Sequence, residues 1–250
     1  MHVVSWFSCG DASAVATKLA LAKYPGAVTV ARCVVPEEHE DNTRFAADCE
    51  QWFGVPILNL SSTEYASCED VWTRRRYMSG VGGALCTVEM KKAVRHAYER
   101  ERAPHLQVFG YTAEECDRAN RFRDANPEVN LVCPLIDAGL SKADCHAIVD
   151  RAGIVIPMMY RLGFNNSNCI GCVQAQSPSY WNRVRRHFPE VFERRAVLSR
   201  ELGVALIKGT SGDRERVFLD ELDPALGSAD TDPAMDCSLL CWLAEQDMAA

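Results

Sequence analysis

The sequence predicts an α/β fold: a doubly wound parallel sheet with a helical and tail extension at its C-terminal end. Three observations predict it. Short apolar runs that read as strands alternate with segments of helical periodicity through most of the chain. The 250 residues are 48% hydrophobic and 24% charged, which excludes disordered and collagen-like classes. The first strand runs straight into a turn of Ser and Gly residues that opens a helix, the place where such sheets bind phosphates.

The elements follow in order. Val3 to Phe7 is a short apolar strand, and Ala12 to Lys23 a helix with Val15, Leu19 and Ala22 on one face. Pro25-Gly26 breaks it. Ala27 to Val35 is nearly continuous in apolar residues, as a strand buried on both faces would be. Asn42 to Phe53 is a helix, ended by Gly54, and Pro56 to Leu60 a third strand. A loop rich in Ser, Arg and Gly precedes a helix over Thr87 to Arg102. Leu106 to Gly110 and Val129 to Cys133 are the fourth and fifth strands. Ser141 caps a further helix with Asp144 at its third position. From Gly163 to Pro178 periodicity gives way to Asn, Ser, Gly and Cys, the mark of a functional loop. Ser179 to Leu202 reads as one helix. Ala205 to Lys208 and Arg216 to Leu219 form a hairpin around Gly209 to Asp213. Gly227 to Pro233 is a polar linker, and Asp236 to Glu245 a terminal element with Cys237 and Cys241. Residues 1–205 are expected to form the nucleotide-binding domain, with 206–250 as a hairpin and cysteine-containing tail.

Lys and Arg total 27 against 34 Asp and Glu, a net charge of −7, so coating nucleic acid through bulk charge is excluded. No apolar run is long enough to span a bilayer. The first residues have no basic n-region, so a cytoplasmic, reducing compartment is expected. There the 12 cysteines point to metal or redox chemistry before disulfides.

Three groups carry chemistry. In Ser8-Cys9-Gly10-Asp11-Ala12-Ser13, Gly10 allows close backbone approach and the helix start offers free N–H groups. The same residues also fit a tight turn with a capping serine. In Cys169-Ile170-Gly171-Cys172, two thiolates can fold around one metal or cluster. Cys86, at a helix start that favours thiolate, is the best third ligand. Cys237, Cys241, a substrate sulfur or nothing would be the fourth. In Gly110 to Arg123, Arg118 and Arg121 lie one turn apart and can clamp an anion, or they belong to a solvated helix face. The runs Arg74-Arg75-Arg76-Tyr77 and Trp181 to His187 combine Arg with aromatics, so tRNA or DNA stays open as a partner.

These residues resemble a known group. Ser8-x-Gly10-x-x-Ser13 is similar to the PP-loop of the adenine nucleotide alpha hydrolase superfamily, whose fold is Rossmann-like. Glu38 to Thr43, Gly110 to Arg121, Cys133-Pro134-Leu135-Ile136, Ser141 to Asp144 and Ile156-Pro157 with Tyr160 and Gly163 resemble the phosphoadenosine phosphosulfate (PAPS) reductase family, including members carried by phages. The resemblance implies that Ser8, Gly10, Asp11, Ser13 and Gly110 bind ATP, adenylyl sulfate (APS) or PAPS. It implies a 4Fe–4S cluster on Cys86, Cys169 and Cys172, with zinc as the alternative. Leu85 stands where the family's cluster-bearing members have the first cysteine of a pair. Asp236-Cys237-Ser238 is the nearest match to the family's nucleophile, with Arg118 and Arg121 neutralising sulfate. The implied activity is an oxidoreductase acting on a sulfonucleotide, with a thioredoxin-like reductant. The alternatives are a sulfurtransferase that thiolates an adenylated tRNA or DNA base from a sulfur donor, and a non-catalytic zinc-held nucleotide-binding module. No membrane partner is expected, and a homodimer stays open.

Overall fold

A computed structural model describes residues 1–80, 82–208, 216–227 and 239–249. Cys237, the 228–233 linker and the 209–213 hairpin loop lie outside them.

Five parallel strands form the sheet: β1 (Val3–Trp6), β2 (Val28–Cys33), β3 (Ile57–Leu60), β4 (Leu106–Val108) and β5 (Leu131–Val132), in the order β3-β2-β1-β4-β5. Val3 of β1 pairs with Val28 of β2 on one side and Leu106 of β4 on the other. Side chains alternate across β1. Val3 and Phe7 enter the larger core with α1 (Asp11–Lys23), α2 (Asp41–Phe53) and α8 (Lys142–Arg151). Val4 turns to the opposite face, packing with Ala31 and Tyr98 of α5 (Ala93–Arg102). Helices therefore cover both faces, the doubly wound arrangement expected. The strand order reverses at β1, so the carboxyl ends of β1 and β4 flank the switch point where such sheets take ligands.

A second core lies beside the sheet, not on it. It joins α3 (Cys68–Arg75), α10 (Pro178–His187) and α11 (Pro189–Leu202) through Trp72, Met78, Trp181 and Phe192. Between them run the short α4 (Leu85–Thr87), a π-helical turn over Val88–Lys92 that leads into α5, and a 3-10 turn, Ala113–Glu115, before α6 (Cys116–Ala125). The remaining helices are α7 (Pro134–Asp137), α9 (Met158–Arg161) and α12 (Leu239–Ala249). α12 returns to pack on α1 and α8. A two-residue ladder, β6 (Ile207–Lys208) with antiparallel β7 (Arg216–Val217), is the expected hairpin.

Four readings need correction. The span from Ser179 to Leu202 is two helices, because Pro189 lacks the N–H that would continue α10 and instead starts α11. The helix expected from Thr87 starts at Leu85 and contains the π turn. The fifth strand is confined to Leu131–Val132. The loop after β3 contains α3, where the Ser67 hydroxyl accepts the Asp70 N–H and caps the helix. Among the described residues no helix is long and apolar enough to cross a membrane.

Candidate functional site

The β1–α1 loop is folded onto its own serine. Ser13 Oγ accepts from Ser8 N (3.0 Å), Ser8 Oγ (3.2 Å) and Gly10 N (3.4 Å), and donates to Gly10 O (2.8 Å). Cys9 takes a left-handed backbone, φ 53°, which costs a non-glycine residue energy and marks a functional turn. Its buried thiol donates to Asn42 O, and burial pushes its pKa up to about 12, so this cysteine is inert. Gly110, at the end of β4, lies flat on the start of α1. A Cβ there would sit 2.8 Å from Ser13 Cα and N. Ser8, Gly10, Ser13 and Gly110 thus come together as one surface at the switch point.

Asp11 joins them only through its backbone. Its carboxylate is turned inward, Oδ2 pairing with His146 Nδ1 of α8, and Oδ1 has no hydrogen-bond partner. Burial raises the Asp11 pKa, with the His146 contact opposing it. A direct side-chain bond from Asp11 to a nucleotide is therefore not what this geometry offers. The hydroxyl of Tyr160 lies against the backbone of Asp11 and Ser167. It would meet a Cβ at Gly10 at 3.0 Å.

Arg118 and Arg121 are exposed on α6, beyond the end of β4. The Arg118 guanidinium pairs with Glu115 and covers the Tyr111 ring at 5.3 Å. The two basic runs are largely engaged within the chain. Arg74 bonds Asp70 and Glu64 O, and Arg75 bonds Glu89. Arg185 donates to Leu219 O and Leu222 O.

The cysteine site is assembled from three segments. Cys86 stands in α4, while Cys169 and Cys172 stand in the loop before α10. To these the structure adds Cys68, the first residue of α3, which sequence reasoning passed over. The Cys68 thiol hydrogen-bonds both Cys169 and Cys86, and Cys172 stands within electrostatic range of those two. Holding the shared proton raises the Cys68 pKa. The bond from Cys68 lowers Cys86 to about 7 and lowers Cys169 as well. Burial raises Cys172 to about 11. Cys241, by contrast, lies on α12 against Asp144 and Arg151 of α8. The signal for Cys68 was available: Ser67 with Asp70 three residues on is a helix start, the same setting that singled out Cys86.

Positive charge and N–H groups surround these sulfurs. Burial disfavours the charge of Lys91, but Cys169, Glu38 and Cys172 outweigh it and keep the ammonium protonated. Trp72 Nε1 is buried without a hydrogen-bond partner and lies near enough to favour the Cys86 thiolate. Tyr180 Oη fixes the loop, accepting from Cys172 N (2.8 Å) and donating to Cys169 O (3.3 Å). Gly171, φ 66°, lets the loop lie on α11, where a Cβ would come 3.0 Å from Val191. Among the described residues no three Cys, His, Asp or Glu side chains stand grouped to hold a single metal ion. The chemistry of the donors nevertheless suits a soft metal or an iron–sulfur cluster: four thiols, two favoured as thiolates, a nearby ammonium and an orphaned N–H for a ligated sulfur.

Asn42 connects the two loops. It is 2% exposed. Its carbonyl accepts from Cys9, its amide donates to Glu38, and its side-chain oxygen accepts from Ser167. Glu38 in turn bonds Arg32 (3.1 Å) and Lys91 (3.2 Å), the latter beside the thiols. The Glu38 to Thr43 segment therefore spans from the β1–α1 loop to the cysteines.

No protein-family model matches the chain, and no curated protein matches it in sequence. Among solved structures it is similar to the crystal structure of phosphoadenylyl-sulfate (PAPS) reductase from Candida auris in a phosphate complex. The two are 9% identical, with a TM-score of 0.51 over 68% of this chain and 81% of that one. At that identity the likeness is one of fold. The chain has a PAPS reductase-like α/β fold.

Proposed function

We propose that the chain is an iron–sulfur enzyme of adenine-nucleotide-dependent sulfur chemistry, PAPS or APS reductase-like, with Cys68, Cys86, Cys169 and Cys172 as ligands of its metal centre. The observation that carries this reading is the convergence of four thiols from three separate segments beside a phosphate-type loop, the two joined through Asn42. Free cysteines that merely fill a core have no reason to share protons among themselves. The Candida auris relative was solved with phosphate, which supports an anion site on a loop of this kind.

In this reading Ser8, Gly10, Ser13 and the first N–H groups of α1 hold the nucleotide phosphates, once the bonds that close the loop on Ser13 have opened. Gly110 keeps the floor of that site flat. Arg118 and Arg121 neutralise the sulfate. A cysteine thiolate, for which Cys237 is the candidate, attacks the sulfate sulfur. The S–S bond forms, the S–O bond to the phosphate breaks, and the nucleotide leaves with the electron pair. A dithiol of the thioredoxin class then attacks the S-sulfonated cysteine and releases sulfite, ending as a disulfide. A cluster held by Cys68, Cys86, Cys169 and Cys172 would supply charge and redox tuning. With four protein thiols as ligands a cluster would have no open iron, which favours reduction over thiolation, because delivering sulfide from a cluster requires one.

Anaerobic purification tests the reading. The expected product is brown, with about four iron and four sulfide per chain, and releases sulfite from APS or PAPS when given a dithiol. Colourless protein with stoichiometric zinc and no turnover would make the centre structural and overturn the enzymatic reading.

A further inference from the structure

One wall of the cysteine site is also the wall of a cavity that none of the chemistry above uses. A cavity of about 320 Å³ is lined by Asn165, Asn166, Asn168, Cys172, Gln174 and Arg183, with the start of α10 closing one end. Its volume falls at the small end of the roughly 300–1,000 Å³ typical of ligand pockets. The β1–α1 loop contributes no residue to its lining.

Its lining is unusual in chemistry more than in size. Four carboxamides meet in one cavity that contains no acidic side chain. Two are already oriented by the fold. Lys142 Nζ donates to Asn165 O and to Asn166 Oδ1 (3.0 Å). Gln174 Nε2 donates to Thr87 Oγ1 (2.9 Å). These bonds leave the Asn166 N–H groups and the Gln174 carbonyl without a partner among the described residues, a donor and an acceptor on the same cavity. Carboxamides presenting donor and acceptor together read the edges of heterocyclic bases. Arg183, buried and 5.5 Å from the Phe164 ring centroid, adds a cation to the wall. A sulfate or phosphate alone would use donors only and leave the carboxamide carbonyls unmet.

We propose that this cavity is a second nucleoside site, distinct from the phosphate-type loop, which brings the edge of a heterocyclic base against Cys172. The proposal deepens the functional reading only in giving the Cys172 side of the metal centre a neighbour. The binding itself stands apart from whether a cluster or zinc is present. The base can arrive on a free nucleotide or at the end of a single strand, and the two sources are separable.

The test uses the full chain as isolated, with its metal content measured separately. The first loop is disabled by Ser13→Ala. The four nucleoside monophosphates and a single-stranded oligonucleotide are then titrated by calorimetry. The expected result is that at least one base still binds to Ser13→Ala. A second variant, Asn168→Ala with Gln174→Ala, should weaken that binding at least tenfold while its circular dichroism stays unchanged. Both residues are exposed, so the fold should tolerate the change. Binding of mononucleotides identifies a free nucleotide as the ligand, and binding of the oligonucleotide alone identifies a strand. If Ser13→Ala abolishes all binding, or if the double variant binds as well as the parent, the second site does not exist, whatever metal the protein holds.

Discussion

The β1–α1 loop and the cysteine site are built in opposite ways. The loop's frame is local: Ser8 to Ser13 closes on itself with four hydrogen bonds to one hydroxyl, and Asn42, Gly110, His146 and Tyr160 buttress it from afar. The cysteine site is non-local, its four thiols coming from residues 68, 86, 169 and 172. A local site tolerates distant change but fails when its own backbone is crowded. A non-local site depends on every segment that supplies a ligand. Single substitutions can break this contrast or sharpen it.

The largest effect is expected from Cys68→Ser. A hydroxyl does not replace a thiolate toward soft metals, so most of the bound iron should be lost. Cys241→Ser, on the far side of α1, should keep it. Metal analysis of the two variants side by side decides whether the fourth ligand is Cys68. Retention of full metal by Cys68→Ser would remove it from the site.

Next comes Gly110→Val. A side chain 2.8 Å from the Ser13 backbone must push β4 and α1 apart, an overpacking cost of about 1–3 kcal/mol. Denaturant midpoints measure that cost. Nucleotide affinity should fall while metal content holds, and a parallel loss of both would mean that the two sites are less separable than their construction suggests.

The smallest effect concerns pH. Because burial raises its pKa, Asp11 takes up a proton more readily folded than unfolded. Its contribution to stability is therefore most favourable at low pH and falls as pH rises from the usual carboxylate range, about 4, through the folded value. Asp11→Asn should flatten that part of the stability–pH curve with little change below it. An unchanged slope would mean that His146, with Lys142 and Arg44 nearby, cancels the burial cost in full.

The same contrast explains what the sequence revealed. The β–α alternation, the Ser-x-Gly-x-x-Ser turn and the Cys-x-x-Cys loop are short-range patterns, and each is where the residues said it would be. Cys86 was legible from its place at a helix start. Cys68 carried the same local signal in Ser67 and Asp70, but the stretch around it reads as a polar, Arg-rich loop and its tie to Cys169 spans a hundred residues of chain. The inward turn of Asp11 depends on His146, which arrives from α8 and leaves no trace in the local motif. The division of the long C-terminal helix at Pro189 was readable, since proline inside a periodic pattern ends the helix before it.

The scattered origin of the thiols has a consequence in time. A ribosome releases the N-terminal end of a chain first, at roughly 5–20 residues per second. Cys68 and Cys86 therefore emerge well before Cys169 and Cys172, and for that interval they are a thiol pair with no partners. If the four thiols hold the proposed metal centre, whatever loads it must act late, on a chain already most of the way out, or else metal held early by two ligands must wait for the other two. Oxidant present during that interval meets the first pair alone. Oxygen exposure during synthesis should thus lower metal occupancy more than the same exposure after folding.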